Sequence, residues 1–485
     1  MTGSNVSLKS KAMRGFIWNL LDKFINQFGT LVLSIYLARV IGPEGVGLIG
    51  LLLIFLLITQ SLVDSGFSQA LIQKSNSITE SDTSTVFYIN LGLGILLYSI
   101  LFISAPSIAQ FYAQPLLIDL SRFLFLIVIF NALTIVSKSK LTIKVDFRSQ
   151  MIANSWGTII SSIFAIIIAK AGYGYWALAW SLVLKAFISN IIIWYYSRWL
   201  PRLIWSRTSF NQLFSFGWKI LIAGQISTLV NNAHSIFLGK FYNIRSVGLY
   251  NQANTIASGV SGVISSTLQT VTFPILTSIK EQTHKVTEIY IKLLKLTMFI
   301  SIPVFIGLAS IAEPLIILVL GENWLNIVPI LQIFCLNRLM TPIAIVNINI
   351  LNAIGRSDLS LRLELYKVPF TLGTLLIGIP FGVIGVAWSA FFSTLIAFFI
   401  NSHYQKKLFN FGSFNQINVS KKFFFAAFLM YLINTLIIFE NPFFEILLKI
   451  IVGAVIYMVA LFLMKENTLF ILKDLVLRKR DKKII

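Results

Sequence analysis

Cysteine occurs once in the 485 residues, at Cys335 inside an apolar run, so there is no disulfide framework and thiols do not identify a compartment. The three histidines, His234, His284 and His403, stand too far apart for a metal-ligand motif, and no phosphate-cradling GxxxxGK is present. No metal site and no cofactor are expected. Charged residues make up only 12% and the mean hydropathy is +0.83, which excludes a water-soluble globular enzyme and a disordered chain alike. Acidic residues are the scarcest charges, 18 against 39 basic, which leaves a net charge of +21. A cleaved signal peptide is not expected either. The N-terminus is polar through about Lys11, and the first apolar run contains Asn19, Asp22 and Asn26.

What the chain has in abundance is apolar sequence. At 56% this amounts to roughly 270 positions, enough for thirteen or fourteen spans of about 20 residues each. Runs bounded by charge, Gly or Pro fall at 16–40, 45–72, 84–112, 116–137, 153–171, 174–197 and 214–240. They continue at 247–274, 293–312, 325–351, 364–381, 383–404, 422–439 and 444–464. Short alternating segments of the kind a lipid-spanning barrel needs are missing, so the expected class is an all-α polytopic membrane protein of about fourteen helices.

Basic residues set the orientation. Lys9, Lys11, Arg14, Lys74, Lys138, Lys140, Lys144, Arg148, Arg198, Arg202, Arg207, Lys280, Lys285, Arg356, Arg362, Lys406, Lys407, Lys421 and Lys422 fall on one side, with the tail from Arg478 to Lys483. The other side has little beyond Arg39, Lys170, Lys240, Arg245 and Lys449, so both termini are expected in the cytoplasm. The excess charge is thus a topology signal, and no nucleic-acid partner is expected. An internal repeat divides the chain. Ile35-Tyr-Leu-Ala-Arg39 through Val46-Gly-Leu48 returns as Ile236-Phe-Leu-Gly-Lys240 through Val247-Gly-Leu249, displaced by 201 residues. Gly174 and Ala179-Trp-Ser181 return as Gly382 and Ala387-Trp-Ser389. Six spans separate the matched helices, an even number, so the halves share an orientation about an axis along the membrane normal. The expected domains are a six-helix lobe over 1–212, a second over 213–405, an added helix pair over 406–464 and a basic tail over 465–485, expected as an amphipathic cytoplasmic helix held by anionic lipid.

Polar residues interrupt several spans at helical spacing. Asn19, Asp22, Lys23, Asn26 and Thr30 form one stripe, and Lys219, Gln225, Thr228, Asn232 and Ser235 form another. Asn251, Asn254, Ser258, Ser261 and Ser265 make a third, and Asn337, Arg338, Thr341, Asn349 and Asn352 a fourth. Stripes in both lobes are expected to line a shared hydrated cavity, because each unpaired polar group facing lipid costs several kcal/mol. The alternative is helix-to-helix hydrogen bonding. Arg338, about 13 residues or roughly 20 Å from either end of its span, is too deep to snorkel. Lys23 and Lys219 enter from the cytoplasmic side, with snorkelling as their alternative. Asp22 pairs with a cation or binds an ion; Asp64 caps a helix or binds an ion; His234 packs or titrates. The substrate-cavity candidates are therefore Lys23, Asn26, Lys219, Gln225, Asn232, Asn251, Asn254 and Arg338, and the ion-coupling candidates are Asp22, Asp64 and His234. Short outer loops and the lack of a nucleophile constellation leave no place for catalysis, so an enzyme, such as a polysaccharide polymerase or ligase, is not expected.

Trp18-Asn19, Leu37-Ala-Arg39, Gly42-Pro-Glu44 and Gly47 resemble the entry helix and first hairpin of Wzx-type polysaccharide transporter flippases, in the superfamily of MATE exporters and lipid II flippases. Asp64-Ser-Gly66 with Ala70-Leu-Ile-Gln73, Phe216-Gly217, Gly248-Leu-Tyr-Asn251 with Ala253, and Phe273-Pro274 extend the likeness. So do Glu313-Pro314 with Gly321 and Trp324, and Asn352-Ala-Ile-Gly-Arg356. The resemblance implies a MATE-like fold in a bacterial inner membrane and a polyprenyl-diphosphate-linked oligosaccharide as substrate. It implies translocation to the outer leaflet for O-antigen, capsule or exopolysaccharide synthesis, with polymerase and export machinery as partners beside the membrane lipids. A charged diphosphate cannot cross hydrocarbon unaided, and a cationic cavity supplies compensating charge. Where relatives often carry Asp in the seventh helix, this chain has His234. A cation-coupled drug exporter is the rival, disfavoured by the cationic cavity.

Overall fold

The structure, a computed structural model, describes residues 3–64, 66–278, 283–466 and 468. They form helices joined by turns and short 3-10 segments, with no strand among the described residues. Two compact units meet in sequence at Asn251 and Gln252. The first holds α1 (Gly3–Asp64), α2 (Phe67–Gln73), α3 (Glu80–Phe111), α4 (Leu117–Leu124), α5 (Leu126–Ile143), α6 (Phe147–Lys170), α7 (Trp176–Ser197), α8 (Arg207–Phe241) and the start of α9 (Ile244–Ser278). The second holds the rest of α9, then α10 (Thr283–Ser310), α11 (Ala312–Val319), α12 (Val328–Ala353), α13 (Ser357–Gly378), α14 (Gly382–Asn401), α15 (His403–Phe409), α16 (Ser413–Thr435) and α17 (Pro442–Leu463).

Nine stretches among the described residues are long and apolar enough to cross a membrane. Two of them are double: Ile25–Gln73 covers the expected span 45–72 and the part of 16–40 from Ile25 on, and Arg362–Phe409 contains the two on either side of Gly382. The three expected spans outside these stretches coincide with α8, α9 and α16, each long enough to cross but carrying more polar residues. α1 is two helices joined at Gly42, whose φ of 81° and ψ of 172° are open to glycine and strained for any side chain. Pro43 starts the second limb, where its missing N–H costs nothing.

Side chains cap the starts of α3, α6, α8 and α17. Thr79 and Asp82 form a reciprocal capping box at the start of α3, and Asp146, Ser206 and Asn441 cap α6, α8 and α17. In the first unit Leu37 of α1 packs on Ala165, Ala169 and Ala177, where small residues let helices approach closely. Phe67, Phe87, Trp199 and Leu213 build a second cluster beneath α2. Trp324, Tyr290, Phe305 and Phe423 fill the second unit. The outer surface stays apolar, with Ile103, Ile377 and Phe462 exposed, which suits lipid as solvent and makes this a multi-pass membrane protein.

Some boundaries differ from the sequence expectation. α16 runs Ser413–Thr435 rather than 422–439, because Lys421 and Lys422 lie inside the helix instead of ending it. Lys422 turns to the Met464 carbonyl at 3.0 Å and to Glu466 at 3.3 Å. α10 begins ten residues before the expected 293, with Lys292 paired to Glu288 at 2.6 Å on its first turns. Lys449, assigned to the outer side from sequence, lies one to two turns inside α17, buried against Glu445 at 2.5 Å.

Candidate functional site

The first unit carries a charged polar network built from three helices. On α1, Asp22, Asn26 and Thr30 recur every four residues, so they share one face; Asn154 and Thr158 do the same on α6. Asn26 donates to Asp22 Oδ1 at 2.6 Å, and Asn154 donates to Asp22 Oδ2 at 3.2 Å. Thr158 Oγ1 donates to Asn26 Oδ1 at 2.7 Å, which fixes the amide so that its nitrogen faces the carboxylate. Lys185 of α7 donates to Thr30 Oγ1 at 3.4 Å and lies within electrostatic reach of Asp22. The network is half-buried, so a carboxylate and an ammonium face each other's field without a direct ion pair being needed to explain their survival in a helix bundle.

Lys185 was not among the candidates from sequence. It stands nine residues from the start of α7 and twelve from its end, about 14 and 18 Å along the axis. A lone cation in mid-span was the available signal, masked by the apolar Val183, Leu184, Ala186 and Phe187 around it. Asn154 and Thr158, also missed, show only as a polar pair at four-residue spacing.

Other candidates of the first unit bond more locally. Gln225 donates to the Ile58 carbonyl at 3.0 Å and so ties α8 to α1. Asn232 donates to the Thr228 carbonyl of its own helix at 2.8 Å, and Asn251 accepts from Ser235 at 3.3 Å. His234 is buried, and its Nε2 has no hydrogen-bond partner among the described residues. The side chains of Lys23, Lys219 and Asp64 lie outside the described residues.

In the second unit Arg338 Nη2 donates to Asn254 Oδ1 at 2.6 Å, which joins α12 to α9, and Ser258 donates to the same oxygen at 3.1 Å. α12 starts at Val328, so Arg338 lies ten residues from one end and fifteen from the other, about 15 and 22 Å, rather than thirteen from each. Beside it Thr394 of α14 donates to Asn337 at 2.8 Å. A second network, also missed from sequence, is neutral and sealed. Tyr290 donates to Asn347 Oδ1 at 2.7 Å, Asn347 donates to Gln416 at 3.1 Å, Gln416 donates to the Tyr290 hydroxyl at 3.2 Å, and Gln405 donates to the Asn347 carbonyl at 2.7 Å. Phe409 and Phe411 pack around the Tyr290 ring.

The second unit also holds a cavity of about 890 Å³ between α10, α12, α14 and α16, lined by Ile306, Leu336, Trp388, Phe424 and Phe428 among others, with Lys421 as its cation. Its lining suits hydrocarbon rather than sugar. No group of three metal-ligating side chains occurs among the described residues. The residues described above offer binding and charge compensation: amides and hydroxyls for sugar or water, and deep cations for an anion.

Comparison with known proteins agrees with this picture. A family model described as polysaccharide biosynthesis protein matches residues 36–329, more than half of the chain. TuaB, a teichuronic acid biosynthesis protein of Bacillus subtilis strain 168, is 28% identical over 62% of this chain. The match spans 62% of TuaB's own length, slightly under two thirds. The lipopolysaccharide biosynthesis protein WzxC of Escherichia coli K12 is 25% identical over 81% of this chain and 82% of its own. Among solved structures, the lipid II flippase MurJ in an inward closed conformation superposes with a TM-score of 0.77 at 15% identity, over 94% of this chain and all of MurJ. At that identity the likeness establishes the fold.

Proposed function

The chain belongs to the polysaccharide biosynthesis protein family, and on that premise we propose that it is a flippase for polyprenyl-diphosphate-linked oligosaccharides. It carries them from the cytoplasmic to the outer leaflet of a bacterial inner membrane, with both termini in the cytoplasm, and it transports rather than catalyses. The names of TuaB and WzxC support the polysaccharide assignment, and the MurJ fold supports a lipid-linked substrate.

The observation that carries the reading is Arg338. A guanidinium about 15 Å from the nearer helix end, with an amide at 2.6 Å, is held at a fixed place and orientation deep in its span. Arginine keeps its charge in such surroundings and offers a planar fork to phosphate oxygens. Asn254 and Ser258 add the neutral groups that replace water around the ligand. A diphosphate passing through the bilayer needs this kind of stepwise exchange of hydration for protein contacts. Lys185 supplies a second deep cation, and Asp22 beside it is the group that couples the cycle to a proton or sodium ion. Polymerase and export machinery act on the product.

Replacing Arg338 by Ala is expected to leave the protein in the membrane at normal abundance while surface glycan falls at least tenfold and carrier-linked repeat units accumulate inside. Normal surface glycan in that variant rejects the assignment. Flux in reconstituted vesicles with and without a proton or sodium gradient tests the coupling: equal flux removes Asp22 from that role and leaves flipping driven by downstream consumption.

A further inference from the structure

The two segments that repeat at a displacement of 201, residues 35–48 and 236–249, lie against each other where the second limb of α1 meets the junction of α8 and α9. All of these contacts are inside the first unit. Glu44 and Arg245, equivalent under the repeat, form an ion pair at 3.1 Å. Gly50 and Asn251, also equivalent, stand side by side: a Cβ on Gly50 would come within 2.1 Å of Asn251 Nδ2. The packing around them is reciprocal. A Cβ on Gly47 would fall 2.2 Å from the Ile244 carbonyl oxygen, and one on Gly248 would fall 1.9 Å from that of Pro43. Gly47 and Gly248 are equivalent, and so are Pro43 and Ile244. A residue touches its own equivalent only beside a two-fold axis, as in an isologous contact. The two segments therefore cross on a local two-fold axis.

We infer that this crossing is the gate that closes the translocation path at the end of the bundle away from the basic loops. The inference rests on the flippase reading above and adds the residues that open and shut it. At Gly47 and Gly248 the backbones meet carbonyl to Cα, with the Ile244 and Asn251 side chains alongside, so few side chains must repack when they part and rejoin. The Glu44–Arg245 latch is half-exposed, at 59% and 43% of the side chains, and such pairs are weak enough to break in each cycle. A cavity of about 380 Å³ lined by Glu44, Gln114, Tyr242, Asn243 and Arg245 brings water to the latch.

The test uses the full chain with Cys335→Ser, Glu44→Cys and Arg245→Cys, reconstituted in phospholipid vesicles and expressed in cells. Oxidation should join the pair, and export of surface glycan should fall at least tenfold and return with reductant. Spin labels on the same two cysteines should show a short and a long distance, and adding Gly248→Ala should shift population to the long one and slow cross-linking at least fivefold. Should Gly248→Ala fail to fold, Arg245→Glu, which sets two carboxylates on the axis, is expected to slow the cross-linking of a Gly50→Cys and Asn251→Cys pair. A single short distance in every condition overturns the gate, as does undiminished export by cross-linked protein. Two distances in a protein that moves no carrier-linked sugar would uphold the gate and reject the substrate.

Discussion

The polar network of the first unit and that of the second differ in charge and in burial. Asp22, Asn26, Asn154 and Lys185 are half-buried around a buried Thr158 and include a carboxylate and an ammonium. Tyr290, Asn347, Gln405 and Gln416 are fully enclosed, neutral and mutually bonded. Closed neutral networks fasten helices, because every partner lost is a buried group left unmet. Open charged ones keep ionic groups in a protein interior where water or a ligand can still reach them. The contrast separates a fastener, which ties α10, α12, α15 and α16 together, from the network proposed above as a working site.

Replacing Asn347 by Leu should have the largest effect on stability. It leaves the Tyr290 O–H without its acceptor and the Gln416 Oε1 without its donor, at about 1–3 kcal/mol each, so thermal unfolding in detergent should shift down by several degrees. Export should follow abundance and nothing else. Lys185→Met should cost less stability, about 1–2 kcal/mol because water screens the Asp22 charge it leaves behind. It should nevertheless abolish export. Adding Asp22→Asn should restore thermal stability to within about 0.5 kcal/mol of the parent without restoring export; recovery of export by the double variant would make this network a fastener too. Thr394→Val, which removes one hydrogen bond to Asn337, should cost about 0.6 kcal/mol in the same unfolding measurement. A much larger loss would extend the fastener into the Arg338 region.

The helices were legible because lipid demands long apolar runs and self-satisfied backbones, and that demand is written residue by residue. The breaks at Gly42 and Gly382 were visible for the same reason. Boundaries failed where charge lay inside a helix, as at Lys421 and Lys422, since a lysine that bends back to a carbonyl reads in sequence like one that ends a span. Asn26 and Asp22, four residues apart, were found together because helical spacing encodes neighbours on one helix. Their partners Asn154 and Thr158 were not, because 132 residues separate the bonded pairs and no periodicity encodes which faces meet. Lys185 needed only the rule that a cation in mid-span has a reason to be there. The repeat was legible, but not that its two copies touch.

The apolar hollow beside Trp388 has a practical corollary. Its walls are apolar and open to the surface, where the lining residues Trp388, Phe425 and Phe428 are exposed, so it accepts hydrocarbon more readily than water. In a bilayer acyl chains occupy it, and during purification either those chains stay or detergent tails replace them. The choice of detergent is thus a choice of what completes the interior of the second unit.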